Sequence, residues 1–203
     1  MHRAGWSVDV NRKEEAMECK LTVLCENSVA FPHGLMGEHG WAVHVDTRER
    51  RLLLDTGQGL GLLNNSRVLG VDLTKLDAIV ISHGHYDHTS GLPDALAVSG
   101  PIDVYMHPDG FVDRYWFKDG QCREIGIRHK QGYLESLGAR FKPVTAFTEI
   151  FPGIYLTGEV PKTSDFEPPD ATMKLRGVDG AWLQDALRDD LSLIVDTDKG
   201  LNV

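Results

Sequence analysis

Three histidines and an aspartate lie within the segment Ser82-His-Gly-His-Tyr-Asp-His88, here called the His loop. Imidazole nitrogens and a carboxylate oxygen are ligands that zinc binds at about 2.0–2.2 Å. His83 and His85 alternate along the chain, so on an extended backbone both side chains point to the same side. Asp87 and His88 follow at the turn into the next predicted helix, where they can serve a second ion. The spacing therefore predicts a metal-binding loop.

Two ions about 3.5–4 Å apart can share a hydroxide and hold a reacting ester, amide or phosphate. The competing interpretation is a polar surface loop that is rich in histidine by composition alone. The apolar run Lys75-Leu-Asp-Ala-Ile-Val-Ile-Ser82 leads directly into the loop. A position at the end of a buried strand favours the metal interpretation.

The elements around the loop follow from apolar periodicity and turn residues. A hairpin is predicted over 41–46 and 51–54, and helices over 60–69, from Gly91 onward and over 131–137. Residues 110–130 are polar and aromatic and are predicted to form an insertion or lid, whereas 161–180 resemble a loop. Further strands are predicted at 20–25, 75–82, 102–106, 140–145, 153–158 and 192–196, with a hairpin turn at 197–200.

Composition limits the class of protein. The chain has 203 residues, a net charge of -9 and 41% hydrophobic residues, which suits one globular domain. An acidic balance disfavours nucleic acid and anionic membranes as main partners. The three widely spaced cysteines fit a reducing cytoplasm, and no apolar run approaches the roughly 20 residues that span a bilayer. Residues 1–18 are polar and are expected to form a weakly ordered extension before a domain at 19–203.

The His loop, followed by Ser90-Gly-Leu92, resembles the His-x-His-x-Asp-His signature of the metallo-β-lactamase superfamily. Leu52-Leu-Leu-Asp-Thr-Gly57 is similar to the strand and turn that precede this signature. Gly37-Glu-His-Gly40, Tyr105-Met-His-Pro108 and Thr157-Gly-Glu-Val-Pro161 resemble one branch, which includes archaeal-type dihydropterin ribofuranosyl-aminobenzene phosphate synthases. The resemblance implies an α/β (α+β) fold, the αβ/βα sandwich, of which this chain would hold the N-terminal half to two-thirds.

The resemblance also implies roles for individual residues. His83 and His85 would bind the first zinc ion, and Asp87 and His88 the second, with manganese or iron as alternative metals. Asp87 would also orient the nucleophile. Asp55 would orient the loop histidines, as metal-bound imidazoles usually require. The alternative for Asp55 is a plain turn residue at the end of a strand.

Two zinc ions need about three protein ligands each, whereas the loop supplies four in total. The remaining histidines of the resembled family lie beyond the end of this chain, so we expect a truncated domain. Ligands from a second chain, or the substitutes His39, His107 and Glu159, would complete the site. The same three residues are the candidates for substrate binding. For His107 a capping or core role before a proline is favoured over a role in the site, whereas for His39 a plain loop role is equally compatible.

The insertion carries Tyr115, Trp116 and Phe117, which could cover a substrate pocket or simply pack a lid on the core. Arg114 and Lys118 could meet a phosphate, but alternation with Asp113 and Asp119 is more typical of a solvated surface.

The function expected from these observations is a zinc-dependent hydrolase, in which a metal-bound hydroxide attacks an ester, phosphoester or related bond of a small molecule. The alternative is a partial or degenerate chain that binds metal or a partner without catalysis of its own. Redox chemistry at iron ranks lower, because relatives of that kind carry a glutamate in the loop, where position 85 is histidine. A homo-oligomer or a complementing chain is the expected protein partner.

Overall fold

A computed structural model describes residues 18–29, 34–164, 166, 168–177, 179–197 and 199–202 of the chain. The predicted extension at residues 1–18 therefore lies almost wholly outside the described residues. Within the described residues, no helix is both long and apolar enough to cross a membrane.

The first sheet has six strands. They are β1 (Lys20–Cys25), β2 (Ala42–Asp46), β3 (Arg51–Leu54), β4 (Ala78–Val80), β5 (Ile102–Met106) and β8 (Ala139–Pro143), and they neighbour one another in that order. β1, β2 and β3 pair antiparallel, whereas β3, β4, β5 and β8 run parallel. The parallel part brings the carboxyl ends of four strands to one edge.

Helices cover one face of this sheet. They are α1 (Leu62–Val68), the short α2 (Tyr86–Thr89), α3 (Leu92–Ser99) and α4 (Gln131–Ser136). Leu53 and Ile79 point from the sheet into the helical layer and pack with Leu62, Leu92 and Leu96. Side chains alternate along a strand, so the neighbours of Leu53 and Ile79 face the other way.

The opposite face packs on a second sheet of four antiparallel strands. Leu52 and Val80 contact Ile154, Leu156 and Val195 there. The strands are β9 (Thr148–Phe151), β10 (Ile154–Leu156), β13 (Leu193–Thr197) and β14 (Gly200–Asn202), in the order β14-β13-β10-β9. The result is a helix layer, a mixed sheet and a second sheet, with two apolar cores between them.

A third sheet lies beside the His loop. Its strands are β6 (Arg114–Lys118), β7 (Gln121–Glu124), β11 (Met173–Arg176) and β12 (Trp182–Gln184), in the order β12-β11-β6-β7. It joins the loop through a bridge between His85 and Gly126 and a hydrogen bond from Tyr86 N to Ile125 O. The segment predicted to be an insertion is therefore a strand pair, and 161–180 contains a strand that we expected to be loop.

Candidate functional site

The candidate site lies where the parallel strands end. Asp55 follows β3, the His loop follows β4, and His107 follows β5. Ligands of open α/β sheets bind at this edge, because loops from several strands meet there. The fold thus brings together residues that are far apart in the sequence.

The His loop presents two pairs of donor atoms. His83 Nε2 lies 3.0 Å from His85 Nδ1, and His88 Nε2 lies 3.7 Å from Asp87 Oδ2. Two nitrogens bound to one tetrahedral zinc ion stand about 3.3–3.4 Å apart, given bonds of about 2.0–2.1 Å. The rings of His83 and His88 connect the pairs, with centroids 4.1 Å apart. Both separations lie within about 0.4 Å of that span.

Asp55 holds the loop from below. One carboxylate oxygen accepts a hydrogen bond from Ser82 N at 2.7 Å, and the other contacts Ser82 Oγ and His88 Nδ1, each at 2.7 Å. Ser82 Oγ in turn lies 2.9 Å from His83 Nδ1. Asp55 is 1% exposed and has a φ of 57°. The same residue therefore turns the strand end and contacts His88 directly and His83 through Ser82 Oγ.

His39 meets the second pair. Its Nε2 lies 3.2 Å from Asp87 Oδ2, although the side chain is 63% exposed. Gly40 packs against the backbone of Asp87, whose carbonyl oxygen accepts a hydrogen bond from Trp41 N at 3.3 Å. The structure thus places His39 beside a predicted metal ligand.

Arg114 and Asp189 hold the loop from the other side. Asp189 Oδ2 accepts a hydrogen bond from Gly84 N at 2.7 Å. Asp189 Oδ1 accepts one from Arg114 Nη2 at 2.6 Å. Arg114 is 1% exposed, so the expectation of a solvated surface position is wrong for this residue. Its carboxylate partners follow it by 71 and 75 residues, and no local pattern could have indicated them.

His107 and Glu159 lie together, 3.1 Å apart at Nε2 and Oε1. His107 is buried and also caps the short 3-10 turn after β5, because Nδ1 accepts a hydrogen bond from Asp109 N. Arg188 contacts both Glu159 and Asp109. The guanidinium of Arg188 is therefore neutralised by two carboxylates. His107, Glu159, Asp109 and Arg188 form a cluster next to the His loop, to which residues 188–191 connect it.

The electrostatic environment keeps the first pair neutral. Burial, together with the nearby His88 and Arg114, holds the pKa of His83 well below its ordinary value. Burial and Arg114 lower the pKa of His85 to about 4. Burial opposes the charged form of His88 as well, but the hydrogen bond with Asp55 outweighs it and raises the pKa of His88. Neutral imidazole is the form that binds a metal ion.

Sequence reasoning missed three carboxylates near the site. Glu38 is buried and accepts hydrogen bonds from the amides of the turn after Asp55. Asp185 binds Arg114. Asp190 lies close enough to Asp55 and His88 for their charges to affect its pKa, which burial raises. Their partners are distant in sequence, so the role of each carboxylate could not be read from a local pattern, although Glu38 lies within the quoted motif Gly37-Glu-His-Gly40.

The donor set fits zinc in type, with three imidazoles and a carboxylate. Among the residues that the structure describes, however, no three His, Cys, Asp or Glu side chains form a group able to hold a metal ion. His85 Nε2 is buried without a hydrogen-bond partner in the same residues. The loop therefore offers two incomplete pairs of donors.

Comparison with known proteins identifies the family to which this fold belongs. A family model described as the metallo-beta-lactamase superfamily matches residues 36–173. The chain belongs to this superfamily. The crystal structure of Tm1679, a metal-dependent hydrolase of the beta-lactamase superfamily, superposes with a TM-score of 0.74 at 28% identity. The match covers 91% of this chain and 64% of that one. The expected α/β fold of the superfamily is thereby confirmed.

Two proteins of Methanocaldococcus jannaschii are similar in sequence. The first is named 7,8-dihydropterin-6-methyl-4-(beta-D-ribofuranosyl)-aminobenzene-5'-phosphate synthase and is 24% identical over 192 residues. The second, an uncharacterized protein, is 29% identical over 160 residues. They support the predicted branch. The chain spans 65% and 59% of the lengths of these relatives.

An N-acyl homoserine lactone lactonase shares the fold, with a TM-score of 0.51 at 16% identity over 92% of this chain.

Proposed function

We propose that the chain is a metal-dependent hydrolase that binds zinc at the His loop and acts on an ester, phosphoester or related bond of a small molecule. The observation that carries the proposal is the pairing of donor atoms, 3.0 Å between His83 Nε2 and His85 Nδ1 and 3.7 Å between His88 Nε2 and Asp87 Oδ2. Manganese and iron are the alternative metals, since they accept the same donors.

A bound zinc ion lowers the pKa of water from 15.7 toward about 7 and stabilises a developing oxyanion. The residues of the chain prepare that chemistry. His83 and His85 are held neutral by burial, so their lone pairs are free to bind. Asp55 fixes the direction of the His88 ring through Nδ1, which leaves Nε2 turned toward Asp87.

Asp87 is proposed to have two tasks. One carboxylate oxygen lies between His39 Nε2 and His88 Nε2. In that place it can bind the second ion and accept a hydrogen bond that orients the attacking water. His39, exposed beside it, is proposed to contact substrate, and His107 with Glu159 to line the neighbouring wall.

The substrate class rests on the relatives. The name of the first M. jannaschii relative contains a ribofuranosyl phosphate, and that protein is named a synthase. A phosphorylated pterin-like substrate is accordingly one candidate, with hydrolysis or group transfer at the same metal site. The net charge of -9 supports a small molecule over nucleic acid as the main partner.

Each pair of the loop supplies two donors, and an ion needs about three from protein. We propose that the others come from surrounding residues such as His39 or from a second chain, either another copy or a complementing one. The three cysteines of the described residues are free, which supports a reducing compartment such as the cytoplasm.

The test is metal content and turnover of purified protein. The wild type is expected to bind about two zinc ions and to hydrolyse phosphodiester or lactone substrates from a panel. The double variant H83A/H85A is expected to lose tight binding of the first ion and to lose activity. The matched control is His129→Ala, which removes an imidazole that lies outside the His loop and packs against Tyr133.

Unchanged metal content in the double variant would refute the loop assignment. A wild type with less than one weakly held metal and no turnover would instead support the partial, non-catalytic chain.

A further inference from the structure

Arg114 begins β6 and is a fully buried cation. Its Nε donates to Asp185 Oδ2 at 2.9 Å, and its Nη2 donates to Asp189 Oδ1 at 2.6 Å and to Asp109 O at 3.3 Å. The carboxylates of Asp185 and Asp189 are buried as well. A charge in such surroundings is tolerated only when it is paired and hydrogen-bonded, so the geometry of this cluster is tightly constrained.

The cluster touches the backbone of the His loop. The second oxygen of Asp189 accepts a hydrogen bond from Gly84 N, in the residue between His83 and His85. A Cβ at position 84 would lie 2.6 Å from Arg114 Nη1 and would overlap the carbonyl oxygen of Gly110. The loop therefore lies directly on the guanidinium and cannot shift toward it.

The His loop is thus held at separate points by separate carboxylates. Asp55 binds Ser82 N and His88 Nδ1 at its two ends. Asp189 binds Gly84 N in its first half. The position of this peptide sets where the Cα atoms of His83 and His85 stand, and so the distance between their facing nitrogens.

We propose that Arg114 is a positioning residue for the first metal pair, which acts through Asp189 on Gly84 N and so fixes the separation of His83 Nε2 and His85 Nδ1. The inference rests on the proposed function. A guanidinium is needed because it donates in two fixed directions, toward Asp185 and Asp189, whereas an ammonium does not present that fork.

The first test measures zinc affinity by competition with a chromophoric chelator, and the visible spectrum of the Co²⁺-loaded protein. Arg114→Lys and Asp189→Asn are expected to weaken zinc binding about 10- to 100-fold and to shift the Co²⁺ spectrum. An amide has a single acceptor oxygen, so Asp189→Asn would lose one of the two contacts that the carboxylate makes. Asp185→Asn should have a smaller effect, because the Asp185 carboxylate contacts Arg114 and Leu187 N rather than the loop.

The matched control is Arg140→Lys, since Arg140 makes an ion pair with Asp103 on the surface of the same domain. The affinity and spectrum of this control should equal those of the wild type. Thermal unfolding of the metal-free variants is measured in parallel. A lower Tm for Arg114→Lys and Asp189→Asn with wild-type zinc affinity and Co²⁺ spectrum would overturn the proposal, because the cluster would then be structural only.

The second test needs no metal. Hydrogen exchange of the Gly84 amide is measured by NMR in the metal-free wild type and in Asp189→Ala, which removes both acceptor oxygens, with the Ser82 amide as internal reference. Exchange at Gly84 is expected to accelerate at least about 10-fold relative to Ser82. Equal protection in both proteins would refute the positioning role.

These arms separate the two proposals. A wild type that binds neither Zn²⁺ nor Co²⁺ contradicts the proposed function, while the exchange measurement still decides whether Asp189 holds Gly84. If Arg114→Lys fails to fold, Asp189→Asn carries the same test.

Discussion

Asp55 has a strained backbone conformation and also makes the hydrogen bonds that support the His loop. It adopts a positive φ, which is uncommon for a side chain other than glycine, and it is buried with three hydrogen-bond contacts. Backbone strain of this kind persists where surrounding contacts enforce it, and it clusters at functional sites. The carboxylate therefore links the end of β3 to the orientation of His83 and His88.

Asp55→Asn keeps the shape of the side chain and removes its charge. We expect zinc affinity to fall about 10- to 100-fold, because one amide oxygen cannot keep all the contacts that the two carboxylate oxygens make with Ser82 N, Ser82 Oγ and His88 Nδ1. Chelator competition measures the change. Asp77→Asn is the control, since Asp77 accepts a hydrogen bond from Arg51 N at the opposite end of the same strands. An affinity equal to that of the control would show that Asp55 is only a turn residue.

At the scale of elements, the sequence predicted the layers well where apolar periodicity is strong. β2, β3, β5, α3 and α4 all lie close to their predicted positions, because each buries one face in a core. No strand of the third sheet was predicted: β6 and β7 lie in the expected insertion or lid, and β11 lies in the expected loop. The side chains of β11 are only half-buried, so the strand leaves little apolar pattern. The His loop was predictable as a local motif, whereas the partners of Arg114 come from distant segments of the chain.

Glu38 supports a turn that is distant from it in sequence, a role that the motif around it did not indicate. It is 6% exposed, and its carboxylate accepts hydrogen bonds from the amides of Gln58, Leu60 and Gly61, which form the turn between β3 and α1. The same turn continues from Asp55 and passes through Gly57, where a Cβ would overlap Glu38. The turn between β3 and α1 therefore depends on the buried carboxylate of Glu38.

Glu38→Ala should lower the free energy of unfolding by at least about 1–3 kcal/mol, since buried amides lose their acceptor. Urea denaturation of the metal-free protein gives the value. Glu38→Gln should lose less, because one acceptor oxygen stays. The exposed Glu49→Ala serves as control. Equal midpoints for Glu38→Ala and Glu49→Ala would contradict this account.

At the scale of the whole molecule, one source of pH dependence is a histidine that is buried in its neutral form. His44 on β2 is buried, and burial lowers its pKa, with Arg51 and Lys20 adding to the effect and Asp46 opposing it. The folded pKa lies below the unfolded one of about 6.5. The contribution of neutral His44 to stability is therefore present above that pH and is lost as the pH falls through the lowered pKa.

His44→Phe removes this titration while keeping a planar ring. We expect the wild type to lose stability faster than the variant between about pH 7 and 5, as measured by urea midpoints. The loop histidines titrate in both proteins, so their contribution cancels in the comparison. Curves that stay parallel across this range would show that the pKa of His44 does not differ between the folded and unfolded states.

The hydrogen bond between Gly84 N and Asp189 has a consequence for biosynthesis. Asp189 follows Gly84 by 105 residues, so at about 5–20 residues per second the ribosome delivers it roughly 5–20 s after the loop. During that interval the His loop of the nascent chain lacks the hydrogen bond from Gly84 N to Asp189. Copper and nickel bind nitrogen donors more tightly than most competing divalent ions. The loop is proposed to bind metal, and selective loading is therefore expected only after the segment around Asp189 has been made.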